Sequence, residues 1–204
     1  MKNDELFKKA VFVLCLIVAL LFLGRLSAQK TGTGPALPPA IKFKAFQSAN
    51  PPFNFMFEYP DTWRVRERSY KGDYDMVEVM GITDKNSPVM PGAFITKRSL
   101  AAGGSTLKGL MDAWLQTESR YKGFKVLSSG DTEIAGQKAL KTEYTYTLSL
   151  PLWNSGAKSV TMKKEQTIMA RGGESFEITF LGTDEQFKIY GPVFQRVLKS
   201  LKFL

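Results

Sequence analysis

The sequence predicts an α+β domain whose strands pair in an antiparallel sheet, and three observations lead to this fold class. Hydrophobic and polar residues alternate with a period of two along much of the chain after Pro52, which is the pattern of half-buried strands. Two segments instead place apolar residues three and four positions apart, as amphipathic helices do. Gly172-Gly173 joins two alternating segments, and such a pair is typical of a tight hairpin between antiparallel strands.

The alternation predicts eight strands in chain order. The first, Phe53–Tyr59, is ended by Pro60, and the clearest is Leu140–Leu150, with leucine, threonine and tyrosine on one face. Long strands joined by hairpins, rather than strand–helix–strand units, favour antiparallel pairing. The predicted strands cover residues 53–59, 63–69, 75–82, 93–99, 125–128, 140–150, 159–170 and 175–181.

Two helices interrupt these strands. The first covers residues 106–121, and its apolar stripe consists of Leu107, Leu110, Met111, Trp114 and Leu115. The second runs from Asp184 to about Lys202, and Thr183 with Gln186 forms a capping-box pattern at its start. Its stripe consists of Phe187, Tyr190, Phe194, Val197, Leu198 and Leu201.

Three local motifs resemble those of the PsbP-like superfamily. They are Phe57-Glu58-Tyr59-Pro60-Asp61-Thr62-Trp63, the strand Phe176-Glu177-Ile178-Thr179-Phe180, and the last segment, from Phe187 to Phe203. The resemblance covers about residues 50–204. It implies a PsbP-like α/β/α sandwich, an antiparallel sheet of about six or more strands with two packed helices. It also implies an adaptor or assembly protein rather than an enzyme, and it assigns no functional residue.

Residues 1–28 are interpreted as a signal peptide or an N-terminal membrane anchor. The run from Ala10 to Gly24 carries no charge, Lys8 and Lys9 precede it, and Ala28 supplies a small residue for cleavage. A helix over this run spans ~22 Å, short of the ~30 Å hydrocarbon core, which favours a signal; basic residues on both sides leave the anchor open. Both interpretations predict an extracytoplasmic domain in the periplasm or at the cell surface, secreted or anchored.

The rest of the chain divides into a linker and a domain. Residues 29–52 are rich in proline and glycine and are interpreted as a linker, and residues 53–204 as one PsbP-like domain. The only cysteine, Cys15, lies within the apolar N-terminal run, where it is interpreted as a small hydrophobic residue.

Composition argues against several classes of function. The chain has no histidine, so histidine triads and histidine metal sites are excluded, and we expect no catalytic, cofactor or metal site. A carboxylate pair drawn from Glu143, Glu165 and Glu177 stays open, without a motif to support it. The formal net charge of +9 permits anionic partners, but the absence of a long basic run makes nucleic acid unlikely.

Basic residues on the second predicted strand form the first candidate contact surface. Arg64, Arg66 and Arg68 share one strand face at two-residue spacing, and Lys71 follows them. Guanidinium groups suit phosphate and carboxylate, so these residues are candidates for anion or partner contact. The alternative is a solvated sheet face on which acids such as Glu58 or Glu78 pair with the arginines.

Two loops supply the second set of candidates. Leu152 and Trp153 lie in a strand connection, where apolar residues are candidates for contact with a partner or membrane, and Met90 lies in the loop 84–92. Both loops have a structural alternative, since the first can fold back on the sheet and the second can be a simple connection.

These observations predict an exported, non-catalytic binding or assembly module of the cell envelope. Its partner is an unidentified protein or an anionic envelope component, and the N-terminal segment contacts the membrane if it is retained. Two alternatives remain: a basic domain that binds anionic lipid or envelope polymer, and a carboxylate-dependent envelope hydrolase.

Overall fold

The computed structural model describes residues 41–48, 53–70, 74–82, 89–100, 106–150 and 158–204. The predicted signal or anchor at residues 1–28 lies outside these ranges, as does most of the predicted linker. Among the helices within these ranges, none has the length and apolar character needed to cross a membrane.

The described ranges contain ten strands and two helices. The predicted α+β class is confirmed, and every predicted strand and helix is present. In chain order the elements are β1 (Phe43–Gln47), β2 (Phe55–Pro60), β3 (Arg64–Tyr70), β4 (Tyr74–Met80), β5 (Gly92–Ser99), α1 (Leu107–Glu118), β6 (Lys125–Ile134), β7 (Gln137–Leu150), β8 (Lys158–Arg171), β9 (Glu174–Thr183), α2 (Asp184–Ser200) and β10 (Lys202–Phe203).

Seven strands form the main antiparallel sheet in the order β3-β4-β5-β9-β8-β7-β6. The chain builds β3 to β5, passes through α1 to the far edge, and returns through β6, β7 and β8 to pair β9 with β5. Gly172 and Gly173 make the turn between β8 and β9 with φ of 60° and 80°, which confirms the predicted hairpin.

A second sheet, in the order β1-β2-β10, shows that the ordered domain starts before Phe53. Strand β1 lies inside the range 29–52, for which the composition predicts a linker, and it pairs with β2 from Phe43 opposite Pro60 to Gln47 opposite Met56. Phe43 and Phe46 are partly buried against the core. These aromatic contacts, together with the pairing, outweigh the proline- and glycine-rich composition of the surrounding segment.

Strand β6 is longer than the predicted strand at residues 125–128. It continues to Ile134 as an edge strand paired only with β7 in the described structure. Most of its side chains are exposed, so no apolar alternation marks it in the sequence.

The main hydrophobic core lies between the seven-stranded sheet, the small sheet and α2. Phe55, Phe57 and Phe180 are fully buried, and the Phe180 ring stacks on Phe194 of α2 with centroids 4.6 Å apart. Trp63 is 5% exposed and packs against Tyr190 and Phe194, so its interpretation as a core residue is confirmed.

Helix α1 packs on the opposite face of the sheet, over β7 and β8, around a buried ion pair. Thr106 caps the helix by accepting a hydrogen bond from the Gly109 N–H. The Lys164 ammonium donates to both carboxylate oxygens of Glu118, at 3.0 and 2.9 Å. Trp114 Nε1 donates to the Tyr144 hydroxyl at 3.1 Å, and the Lys164 ammonium lies 5.4–5.9 Å from the ring centroids of Trp114, Tyr144 and Tyr146.

Glu118→Leu is expected to lower the free energy of unfolding by about 3 kcal/mol, because it leaves the Lys164 charge buried without its counter-ion. The double variant Glu118→Leu/Lys164→Met is expected to recover most of that loss, since apolar replacement of a buried pair is often neutral. Urea unfolding of Glu118→Leu, Lys164→Met and the double variant measures the coupling free energy between the two side chains. Additive losses in the double variant would contradict a coupled pair.

Candidate functional site

The three predicted arginines of β3 lie on the same face of the sheet as α1. Residues directly opposite one another on neighbouring strands share a face. From Arg64 the register passes through Met80, Gly92 and Leu181 to Lys164 on β8, which contacts α1. Because α1 packs on β7 and β8, the arginines occupy the other end of this face, near the β3 edge.

We call this region the arginine face, and a cavity of about 380 Å³ lies within it. The cavity brings together two predictions made from different segments, since Arg64 and Arg66 come from β3 and Met90 from the loop between β4 and β5. It also includes residues that the sequence did not single out. The lining consists of Arg64, Arg66, Glu78, Met80, Gly81, Ile82 and Met90, and Arg68 lies beside it on β3.

The arginines differ in their electrostatic surroundings. Arg68 Nε lies 2.8 Å from Glu78 Oε1, and the hydrogen bond and charge of Glu78 raise the pKa of Arg68 above its ordinary value. Glu78 stands directly opposite Arg66 in the register, yet its carboxylate pairs diagonally with Arg68. Arg64 and Arg66 are exposed and have no carboxylate partner among the described residues.

The alternative interpretation of the arginine stripe, as a solvated face paired with acids, is therefore right in one part only. Glu78 does pair with an arginine of the stripe, as that interpretation expected. Glu58 does not, because its carboxylate accepts a hydrogen bond from Arg196 of α2 at 2.8 Å. Two positive charges thus remain uncompensated within the part of the chain that the structure describes.

Exposed apolar side chains form the other wall of the cavity. Ile82 is 58% exposed and Met90 is 43% exposed, and Met80 lies partly buried beside them. Gly81 fits tightly at this point, because a Cβ there would lie 2.8 Å from Pro91 Cγ and 3.0 Å from Trp63 Cε2. The glycine lets the chain leave β4 against the buried Trp63, and so places Ile82 at the cavity.

Comparisons with known proteins bear on the fold. No protein-family model and no curated protein matches the chain. The solved structure of cyanobacterial PsbP from Synechocystis sp. PCC 6803 matches with a TM-score of 0.54 and 9% identity, covering 81% of this chain and 94% of that one. LpqN of Mycobacterium tuberculosis, described as involved in cell envelope biogenesis, matches with a TM-score of 0.51 and 15% identity, covering 79% and 90%.

The chain has the PsbP-like fold. A third solved structure, PA94 of Pseudomonas aeruginosa, a protein of unknown function, matches with a TM-score of 0.51 and 14% identity, covering 78% of this chain and 94% of that one. The resemblance that the sequence motifs carry is thereby confirmed at the level of fold. At these identities the likeness assigns no role to the residues of the arginine face.

Two of the three candidate carboxylates meet across neighbouring strands, and the third lies on the other face of the sheet. Glu143 and Glu165 stand directly opposite each other on β7 and β8, and lysines bridge them: Lys141 Nζ lies 3.6 Å from Glu143 and 2.8 Å from Glu165, and Lys163 Nζ lies 3.3 Å from Glu143. The register places Glu177 on the opposite face, where Arg98 Nε lies 3.4 Å from its carboxylate. Within the described ranges, no three acidic side chains group as metal ligands would.

Three of the candidate contact residues lie outside the described residues. They are Lys71, which follows β3, and Leu152 and Trp153 in the connection between β7 and β8.

Glu177→Gln is expected to stabilise the domain at neutral pH. Burial raises the pKa of the Glu177 carboxyl above its ordinary value of 4.5, and the charge of Arg98 opposes this shift. A raised folded-state pKa means that the folded protein binds the proton more tightly, so stability increases as pH falls through that pKa. The advantage of the variant at pH 7 should therefore disappear below about pH 4.5.

Urea unfolding at several pH values measures this difference, with Glu133→Gln on the exposed part of β6 as a control for loss of a surface carboxylate. A Glu177→Gln variant that is less stable than the wild type at neutral pH would contradict the prediction, because the ion pair with Arg98 would then outweigh the desolvation of the carboxylate.

Proposed function

We propose that this protein is an exported, non-catalytic binding module of the cell envelope that binds an anionic region of a partner protein on its arginine face. The observation that carries the proposal is the placement of Arg64 and Arg66. Both guanidinium groups border a cavity with an exposed apolar wall and lack a carboxylate partner in the described structure.

The chemistry of the face favours a ligand that is both anionic and apolar. Guanidinium groups bind carboxylate or phosphate through two parallel hydrogen bonds, and arginine is enriched at interfaces. Methionine adapts its shape to varied apolar surfaces. A volume of about 380 Å³ is within the range of sites that accept small groups or side chains.

The extracytoplasmic location of the proposal rests on the sequence of residues 1–28. Its basic start, uncharged run and small-residue exit are those of an export signal or membrane anchor. The structural likeness to LpqN, whose description places it in cell envelope biogenesis, supports the same compartment.

A binding role is preferred to hydrolysis because lysines already pair with the acidic residues that a carboxylate-dependent hydrolase would use. Glu143 and Glu165 are held by Lys141 and Lys163, which keep both carboxylates engaged within the sheet. A general acid needs a carboxyl that is free to exchange a proton with substrate, whereas these two carboxylates already have lysine partners within the sheet.

A second groove supports anionic lipid or envelope polymer as an alternative ligand. It has a volume of about 630 Å³ between the small sheet and α2, and its basic residues are Arg196, Lys199 and Lys202. Arg196 is already occupied by Glu58 and by the Phe43 ring, 4.1 Å from its guanidinium carbon. Lys199 and Lys202 are exposed, so two charges remain available for headgroups.

Two double variants test these functions against each other. Arg64→Gln/Arg66→Gln alters the arginine face and Lys199→Gln/Lys202→Gln alters the groove, and each removes two exposed positive charges. Poly-L-glutamate serves as the protein-like anion and vesicles containing phosphatidylglycerol as the lipid, both at low and high salt. We expect the arginine variant to bind poly-L-glutamate about tenfold more weakly and the lysine variant to bind it almost as the wild type does.

Equal losses in the two variants would contradict the proposal, because net charge rather than the arginine face would then govern binding. Vesicle binding that only the lysine variant loses would favour the lipid alternative. Unchanged urea midpoints in both variants would show that the folded state is intact, as expected for exposed side chains.

A further inference from the structure

We propose that the domain docks on the surface of an anionic lipid bilayer through the turn between α1 and the start of β6. This region consists of residues 119–127, and we call it the β6 corner. Its exposed apolar side chains enter the bilayer interface, and its basic side chains contact anionic headgroups. The inference goes beyond the proposed function, which concerns the arginine face, and it stands on different residues.

Exposed apolar side chains are concentrated at the β6 corner. Of the eight large apolar side chains that are exposed in the described structure, three lie here: Tyr121 is 44% exposed, Val126 42% and Leu127 47%. Such residues are ordinary when they are scattered singly, whereas a group of them marks an interaction site. Tyrosine also suits the headgroup level of a membrane, because its ring is apolar and its hydroxyl is polar.

Contacts with β7 bring these side chains together. The Tyr121 ring packs on Tyr146 with centroids 4.8 Å apart, and Val126 lies directly opposite Tyr144 in the register of β6 with β7. Tyr144 and Tyr146 are two residues apart on one face of β7, so Tyr121 and Val126 are neighbours at this edge of the sheet. Leu127 follows Val126 at a register shift.

Backbone hydrogen bonds fix the turn that carries the β6 corner. The Tyr121 N–H donates to the Glu118 carbonyl at 3.0 Å, and the Phe124 N–H donates to the Tyr121 carbonyl at 3.2 Å. The Thr147 N–H of β7 donates to the Lys122 carbonyl at 2.7 Å, which ties the turn to the sheet. The corner is therefore preformed, and this lowers the conformational entropy that docking costs.

The charged side chains of the β6 corner are all basic. Arg120, Lys122 and Lys125 are exposed, and none of them has a carboxylate partner in the part of the chain that the structure describes. The sequence contains no acidic residue over positions 119–130. Positive charge of this kind complements an anionic membrane surface, where each lysine or arginine strengthens binding.

The acids next to the β6 corner already have lysine partners. Glu118, the last residue of α1, lies 2.9 Å from Lys164. Glu143 lies on β7 beside the corner, and Lys141 and Lys163 contact its carboxylate at 3.6 and 3.3 Å. The positive charge of the corner therefore stays available to an external anion.

The combination of charge and exposed apolar side chains favours a bilayer over a soluble partner. A soluble polyanion offers nothing to the apolar residues, and a stable protein interface buries about 1,200–2,000 Å² of surface, more than one short turn supplies. A bilayer meets both features, because interfacial binding adds the electrostatic attraction of anionic lipid to the burial of apolar area.

The position of the β6 corner leaves the arginine face outside the membrane contact. Val126 and Arg64 are the two ends of one row of directly opposite residues, which crosses all seven strands of the main sheet. Strands are spaced by ~4.8 Å, so the two residues lie about 29 Å apart. The domain can therefore hold a protein partner and the bilayer at the same time.

A fluorescent probe on the full-length protein tests the proposal. Nitrobenzoxadiazole is attached to Leu127→Cys or to Ile189→Cys, each in a Cys15→Ser background. Leu127 is 47% exposed and Ile189, on α2, is 46% exposed, so the positions are matched. On vesicles of phosphatidylglycerol and phosphatidylcholine, we expect a blue shift and quenching by nitroxide-labelled lipid at position 127 only. Vesicles of phosphatidylcholine alone should give neither. The probe reports the depth of one side chain, whether or not the N-terminal segment also inserts.

Two double variants with equal loss of charge test the headgroup contacts. Lys122→Gln/Lys125→Gln is expected to lower the equilibrium constant for insertion of the probe at position 127 about thirtyfold, since each lysine near an anionic surface contributes a factor of about five. Lys199→Gln/Lys202→Gln removes two exposed charges from the groove beside α2 and should have a much smaller effect. Unchanged urea midpoints would show that both variants are folded.

Equal emission shifts at positions 127 and 189, no shift at either, or equal shifts on anionic and neutral vesicles would overturn the proposal. Equal losses in the two lysine variants would overturn it too, because net charge would then govern insertion. A shift at position 127 that poly-L-glutamate produces and vesicles do not would replace the bilayer by an acidic protein. The proposed function is judged separately, by poly-L-glutamate binding to the arginine variant, so the two can fail independently.

Discussion

The pairing of β5 with β9 is the contact on which the main sheet depends. Eight residue pairs, from Gly92 opposite Leu181 to Ser99 opposite Glu174, join strands that are far apart in the chain. Without this contact, β3, β4 and β5 would form a separate three-stranded unit, and β6 to β9 a second one. Closing so long a loop costs conformational entropy before the contacts of the sheet can repay it. The pairing also sets the distance between the two ends of the face that carries α1 and the arginines.

Helix α2 covers the face of the sheet that lies opposite α1, and its position follows from the end of β9. Thr183 is the last residue of β9 and also the N-cap of the helix, and it exchanges hydrogen bonds with Gln186 in a capping box. The chain therefore turns directly from strand to helix, and Phe194 meets Phe180 across the core. Because successive residues of a strand point to opposite sides, the arginines of β3 lie on the face opposite this aromatic cluster.

The limits of prediction from the sequence have physical causes. Period-two and period-3.6 patterns locate the strands and helices that bury one face, which is why Leu140–Leu150 and the stripe of α2 are evident from the order of residues alone. Strands that bury little, such as β1 and most of β6, have no such pattern. The arginine stripe follows from spacing, and Glu78 is among the acids expected to pair with it. Met80 joins the stripe only through the register of β3 with β4, and Ile82 through the tight packing at Gly81. Register depends on long-range contacts, so a single sequence does not define it.

The separate cluster beneath α1 has a consequence for how the domain opens. Tyr144, Tyr146 and Met162 form a group of buried residues distinct from the main core, and the Glu118–Lys164 pair is the ionic contact that joins α1 to β8. Release of α1 would expose this small cluster while the aromatic core around α2 stays closed. We expect native-state hydrogen exchange to reveal α1 as a cooperative unit that opens before the sheet, a partial unfolding whose free energy is below that of the whole domain.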